Sequence, residues 1–369
     1  MKISLDRDIL LTQLQAVTRI ASTRTAIQAL SGVQIAVSDS LAELRATDAD
    51  ISLRVPLEAD VDSPGVVLLP GRLLADVVRS CAGTRVSLAA RATEQDVEVL
   101  CGNATFHLRT LRAEDFPALP DISSDSAVRL PLSAFVDTIV KVSGSASRDE
   151  TRPVLTGVLV SATGRDLRMV ATDSYRLSVK DTQLKEALAT GFEANIPARA
   201  LQELVRLAAH ASDEDFALSV RQNQIVFAVG QMVLSSRLLD GQFPNYRQLL
   251  PETFDHEVLM AGPELRDVVR RISLMAQKNA PLRLSFKPGE LTVSSQTPDI
   301  GEARETVPAN FHGEAFDIGF NPDFLREGLE AIGDSDVLIK LITPLRPGLF
   351  EAAGGSGFVY LIMPIRLNV

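Results

Sequence analysis

Tryptophan is absent from the sequence, and aromatic residues make up only 5% of it. That disfavours a protein that grips single-stranded nucleic acid by stacking bases on exposed rings. Cysteine is nearly as scarce. Cys81 and Cys101 cannot build a disulfide framework, and with only four scattered histidines they lack the spacing of a zinc site. Both thiols are expected to be buried as small hydrophobes, in keeping with a reducing cytoplasm. No apolar run approaches the ~18 residues that a membrane span requires, and the opening Met1-Lys2-Ile3-Ser4-Leu5-Asp6-Arg7 places charge where a secretory signal has its apolar core. A soluble, cytoplasmic protein is the expectation. Positive charge is also in short supply: 37 Lys and Arg face 47 Asp and Glu, a net charge of −10. Nucleic acid is therefore not held through overall positive charge, and any DNA contact has to be local.

Enzyme signatures are missing as well. There is no glycine-lysine phosphate loop, no strand-initiated GxGxxG, no HExxH and no GxSxG. Gly354-Gly355-Ser356-Gly357 lies between β-prone segments with no helix after it, which predicts a loop or hairpin tip rather than a phosphate cradle. Asp173 beside Ser174, with His256 or His312 elsewhere, is the nearest approach to a hydrolase constellation, and nothing orders these residues into a triad. The expectation is a protein without catalysis, cofactor or metal.

What the chain does contain is a repeat. Its 369 residues, 46% of them hydrophobic, suffice for two or three cores. One cassette, an extended apolar stretch, a break and a helix-period stretch, occurs around Pro70, Pro197 and Asn321, at offsets of 127 and 124 residues. Each third also opens on an amphipathic stretch, at 6–21, 131–147 and 263–278, with apolar residues such as Leu10, Leu14 and Val17 at helical spacing. The remainder consists of short alternating or β-branched runs between turn residues, such as Ile225-Val226-Phe227-Ala228-Val229. These patterns predict an α+β protein of three similar domains, 1–122, 127–251 and 254–369, each with two helices on antiparallel sheets. An element containing Phe-Pro closes the first two thirds, at Phe116-Pro117 and Phe243-Pro244, and Met363-Pro364 closes the third.

Charge is segregated along this pattern. Twelve Lys and Arg and ten Asp and Glu fall on the six predicted helices, so the helices carry +2 and the rest of the chain −12. Such a division suits helices that face phosphates, although ordinary solvated helix faces produce it too. Similar helices repeated around a closed ring would present their basic side chains to a common axis.

The stretch Ala171-Thr172-Asp173-Ser174-Tyr175-Arg176-Leu177 resembles the "ATDGHRLA" signature of bacterial sliding clamps, the DNA polymerase III beta subunit family. Arg152-Pro153-Val154-Leu155-Thr156-Gly157, Phe243-Pro244-Asn245-Tyr246-Arg247 and the terminal Met363-Pro364-Ile365-Arg366-Leu367 agree with it in order and position. The resemblance covers the whole chain. It implies a head-to-tail homodimer, a ring of six domains with twelve helices around double-stranded DNA, acting as a processivity factor for the replicative polymerase. Retention by encirclement needs little net positive charge, and weak sequence-independent phosphate contacts permit sliding.

The resemblance also implies sites. A groove for short peptides of polymerases, the clamp loader and repair proteins would be walled by Leu155, Thr172, Leu177, Pro244, Leu249, Leu361, Met363 and Pro364. Its rim would be Ser174, Tyr175, Arg176, Ile365, Arg366 and Leu367, with Gln248 where a basic residue is common and Ser174 and Tyr175 in place of the usual Gly and His. Aliphatic side chains and a pliable thioether suit several apolar anchors. The residues matching DNA contacts are Arg24, Arg72, Arg148, Arg199, Lys278, Asn321 and Phe324. Phe106, Leu274, Asp299, Glu302 and Glu305 match the protomer interface, where Asn103 and Thr105 occupy sites that can hold arginines in the family. The rivals are a three-domain enzyme with a cleft at 172–176, which would need an acid-base pair beyond Asp173, and a peptide-binding scaffold without a DNA role.

Overall fold

The structure, a computed structural model, describes residues 1–22, 25–39, 41–120, 127–209, 211, 215–276 and 280–367. The protein is α+β, and all six predicted helices form: Arg7–Ile20 (α1), Gly71–Ser80 (α2), Leu132–Val142 (α3), Ala198–Ala208 (α4), Gly262–Ser273 (α5) and Pro322–Ile332 (α6). Among the described residues, no helix is long and apolar enough to cross a membrane.

The helices begin and end for local reasons. Asp6 caps α1 by accepting from the amides of Asp8 and Ile9 at 2.8 and 3.0 Å, and Leu10, Leu14, Val17 and Ile20 form its buried stripe. Asn321 caps α6 in the same way, accepting from Asp323 and Phe324, with Pro322 in the first turn. The helix stops at Gly333, whose φ of +86° suits glycine. The threefold cassette is also present. Strands Gly65–Pro70 and Phe192–Pro197 run directly into α2 and α4, and Phe316–Phe320 leads into α6 through its Asn321 cap.

The chain divides into two compact units. Unit 1 comprises Met1–Ser133 and Glu203–Leu238. It holds a five-stranded sheet ending in Asp96–Cys101 and, at the edge, Ala104–Arg109, together with an eight-stranded sheet. In the latter, Met232–Arg237 from the second repeat pairs with Ile51–Leu57 from the first, Val233 opposite Arg54. Cys81 and Cys101 are free and buried in this unit, as expected.

Unit 2 comprises Ala134–Gln202 and Leu239–Val369. Its eight-stranded sheet runs Phe192–Pro197, Gly157–Thr163, Asp166–Thr172, Arg176–Gln183, Phe358–Ile362, Gly348–Ala352, Val337–Leu341, His256–Met260. A four-stranded sheet, with Gly301–Pro308 at one edge, completes it. Alternating residues such as Leu282, Leu284, Phe286, Leu291 and Val293 face the apolar stripes of α5 and α6 in one core. Gly328 of α6 lies so close to Tyr360 that an added Cβ would meet the ring at 2.2 Å. The 354–357 glycine run is the predicted hairpin tip, joining Gly348–Ala352 to Phe358–Ile362. The units are not the repeats, because each eight-stranded sheet takes strands from two of them.

Candidate functional site

The signature 171–177 forms a tight turn between two neighbouring strands of unit 2. Asp173 Oδ1 accepts from the amides of Tyr175 and Arg176 at 2.9 and 3.0 Å, and Thr172 donates its hydroxyl to the Arg176 carbonyl at 2.6 Å. Ser174 occupies the left-handed region at φ +81°, a conformation that glycine adopts without strain. Its hydroxyl accepts from Arg152 at 2.9 Å, and Arg152 is itself anchored on Asp149. The hydrogen bonds from Thr151 and Arg152 hold the Asp149 carboxyl below its usual range.

The end of the chain then closes over this turn. Arg176 pairs with Ile362 and Leu177 with Leu361. Beyond the last strand, Met363 donates its amide to the Tyr175 carbonyl and Ile365 donates to the Gly319 carbonyl, both at 2.8 Å. One face of the sheet carries an apolar cluster of Val170, Leu177, Val179, Tyr246, Leu349 and Leu361, with Phe243 and Leu250 packed against it. At the end of the sheet beside it, Tyr175 and Met363 remain exposed at 62% and 43%, and Leu249, next to Leu250 in the chain, is exposed at 49%. Pro244, Gln248 and Arg366 are exposed, Pro364, Ile365 and Leu367 half-buried, and Leu155 and Thr172 buried. The Leu367 side chain packs over Gly319.

Arg176 departs from the expected rim. Strand alternation sends its side chain to the face opposite Leu177, where only 8% of it is accessible. Nε donates to Asp173 at 3.0 Å, Nη1 to Glu327 and Tyr360, and Nη2 to the Gly144 carbonyl at 2.7 Å. The guanidinium lies 4.3 Å from the Phe324 ring centroid. Burial alone pulls Arg176 down, but Tyr360 and Glu327 outweigh it and push the group above its usual range. Burial likewise pushes the Tyr360 hydroxyl up to about 12.

Sequence reasoning missed three contributors. Arg152 fixes Ser174, and Leu349 joins the apolar cluster. Leu345, 62% exposed, sits on the hairpin before Gly348. Because Gly348 pairs with Ile362, which pairs with Arg176, that hairpin lies at the same end of the sheet as Tyr175 and Met363. Its signal was an isolated leucine between Pro344 and Pro347, with no regular element to bury it.

The expected DNA residues fare unevenly. Arg72 and Arg199 are exposed in the first turns of α2 and α4, and Arg148 is exposed in a loop. Arg24 and Lys278 lie outside the described residues. Asn321 is engaged as a helix cap, and Phe324 packs against the core under Arg176 rather than projecting. Among the described residues, the helix arginines Arg7, Arg19, Arg79, Arg206, Arg266, Arg270, Arg271 and Arg326 are paired with acidic side chains of the same chain. The positive field of the helices is therefore modest.

At the expected interface, Phe106 is half-buried on the edge strand Ala104–Arg109, and Leu274 is 72% exposed beyond α5. Asp299 and Glu302 are exposed, whereas Glu305 is held by two hydrogen bonds from Arg271 at 3.0 and 2.6 Å, which lower its pKa. No hydrolase constellation forms from Asp173 and the histidines. Asp173 is engaged by its own turn, His256 stacks on Phe316 at 4.9 Å and His312 bonds Asn310. Among the described residues, no cluster suited to a metal occurs.

Comparison with known proteins agrees along the whole chain. Residues 1–120, 129–245 and 247–366 match the N-terminal, central and C-terminal domains of the DNA polymerase III beta subunit. The beta sliding clamps of Synechococcus elongatus and Streptomyces coelicolor are 35% and 32% identical, over 100% of each chain. Among solved structures, the DNA polymerase sliding clamp of Bacillus subtilis superposes with a TM-score of 0.92 at 27% identity, covering 100% of both chains. The Pseudomonas aeruginosa clamp bound to griselimycin superposes with a TM-score of 0.90 at 28% identity and the same coverage.

Proposed function

We infer the working parts of this protein from its family, since the chain belongs to the DNA polymerase III beta subunits, the bacterial sliding clamps. Members are non-catalytic processivity factors that act on DNA with a polymerase as dimeric rings. In the reading proposed for this chain, domains 1–122, 127–251 and 254–369 from two protomers close a ring of six around duplex DNA in the cytoplasm. Short peptides of the replicative polymerase, the clamp loader, other polymerases and repair proteins dock in the groove around Leu177, Leu249, Leu361 and Met363. The observation that carries the docking role is the return of the chain's end onto the 173–175 turn. It leaves three large apolar side chains exposed beside a closed apolar cluster, which is how a surface offers anchor pockets.

Arg72, Arg148 and Arg199, joined by Arg24 and Lys278, are proposed to meet phosphates without reading bases. A modest positive field suits this task, because each tight phosphate contact opposes sliding. Asn321 and Phe324 are left in structural roles. Phe106, Leu274, Asp299 and Glu302 are proposed to meet across the protomer contact. The test is retention on DNA: clamp loaded onto a closed circle should stay bound until the circle is cut, then run off the linear product. Equal retention on circular and linear DNA would mean adhesion rather than encirclement, and no retention on either would leave only a peptide-binding scaffold.

A further inference from the structure

Arg176 joins two structures that face opposite ways. Its backbone borders the 173–175 turn, which carries exposed Tyr175, while its guanidinium is buried on the other face of the sheet against Tyr360, Glu327 and the Gly144 carbonyl. The same guanidinium donates to Asp173, whose second carboxylate oxygen accepts the amides of Tyr175 and Arg176. Asp173 thus orders the turn with one oxygen and is held in place through the other. Charge-assisted bonds of this kind are strong and directional when buried. Among the described residues, the acidic partner of Arg176 opposite Asp173 is Glu327 on α6. A cavity of about 250 Å³ reaches Arg176 and Glu327 from the helix side, so Glu327 can be changed without entering the groove.

We propose that Arg176 is a positioning residue for the peptide groove: it sets the 173–175 turn from the opposite face of the sheet, through Asp173 on one side and Glu327 on the other. The proposal rests on the groove reading above and goes beyond it, because it makes a residue on α6 a determinant of peptide affinity. Glu327 supplies the negative charge that holds Nη1, so its neutralisation lets the guanidinium swing and loosens Asp173.

The experiment compares Glu327→Gln, Arg176→Lys and Met363→Ala with the unaltered dimer. A fluorescent peptide containing a glutamine, a leucine and a terminal phenylalanine is titrated by anisotropy, thermal melts are recorded, and the amide resonances of Ser174 and Tyr175 are followed without peptide. Glu327→Gln keeps an acceptor oxygen but removes its charge, and should weaken peptide binding about tenfold, the effect of reducing one part-buried charge-assisted hydrogen bond to a neutral one. It should also displace both amide resonances and leave the melting temperature within a few degrees. Arg176→Lys, which keeps the charge but cannot span the four acceptors, should weaken binding at least as much. If Met363→Ala loses binding while Glu327→Gln binds at full strength with unmoved resonances, the groove stands and the positioning role is refuted. If neither Met363→Ala nor Glu327→Gln alters binding, the groove reading has failed and the proposal with it.

Discussion

Deleting residues 363–369 separates the groove from the fold that supports it. The last strand, Phe358–Ile362, stays in place, and with it the core around Tyr360 and Ile362. The deletion removes two amide-to-carbonyl hydrogen bonds, to Tyr175 and Gly319. At about 0.5–1.5 kcal/mol net each, they contribute about 1–3 kcal/mol. Half-buried Ile365 and Leu367 add about 1–2 kcal/mol of apolar burial between them, and the released chain recovers part of the total as conformational entropy. The net destabilisation is about 1–3 kcal/mol, short of the ~5–15 kcal/mol that holds a typical domain folded. The peptide site suffers more, because Met363 and Arg366 leave together. Two anchors in a small interface are worth about 2–4 kcal/mol, roughly thirtyfold to several hundredfold in Kd. Anisotropy titration beside light scattering of the same sample measures both effects. A folded, dimeric truncation that bound the peptide at full strength would refute this placement of the groove.

Replacing Leu274 with Asp should leave the protomer folded, since the side chain is 72% exposed, but should place an unpaired charge in the dimer interface; sedimentation at low micromolar concentration should show monomers. Changing Arg24, Arg72 and Arg199 together to Ala should reduce loading on all DNA sequences alike and lower the salt slope by about 0.9 for each phosphate that is no longer neutralised, with a retained dimer as the control. Burial raises the Tyr360 hydroxyl to about 12 from its ordinary value of 10.0, so its contribution to stability is present below pH 10 and disappears as the pH rises toward 12. Absorbance of phenolate in the native protein should show at least one of the three tyrosines ionising near pH 12, and complete ionisation around pH 10 without unfolding would contradict the burial of Tyr360.

The helices were legible because 3.6-residue periodicity and short caps are local, and every predicted one is present. Four of the ion pairs on them, such as Arg79–Asp76 and Arg326–Asp323, also follow from i,i+3 spacing. The pairs Arg19–Glu203 and Arg271–Glu305 do not, because they join residues far apart in sequence. Arg176 shows where pattern reading fails. The run Arg176-Leu177-Ser178-Val179-Lys180 alternates polar and apolar and reads as a strand with one solvated face. In the structure both faces are covered, and Arg176, Ser178 and Lys180 are buried. Alternation reports which residues share a face, not whether water reaches it. Leu345 was missed for the converse reason, since a single exposed leucine in a turn has no period at all.

The strand pairings that join one repeat to the next, Val233 to Arg54 in unit 1 and Leu177 to Leu361 in unit 2, bear on how such a chain can change over time. Each repeat looks like a module that duplicated, yet cutting between repeats would leave bare strand edges ready to pair with any neighbouring chain. Swapping one third for that of a distant relative would also have to match hydrogen-bond register along a seam in the middle of a sheet. The thirds therefore repeat one pattern without being separate compact units. Hybrids made by exchanging single repeats should aggregate, whereas those that exchange the strands on both sides of a seam should remain soluble.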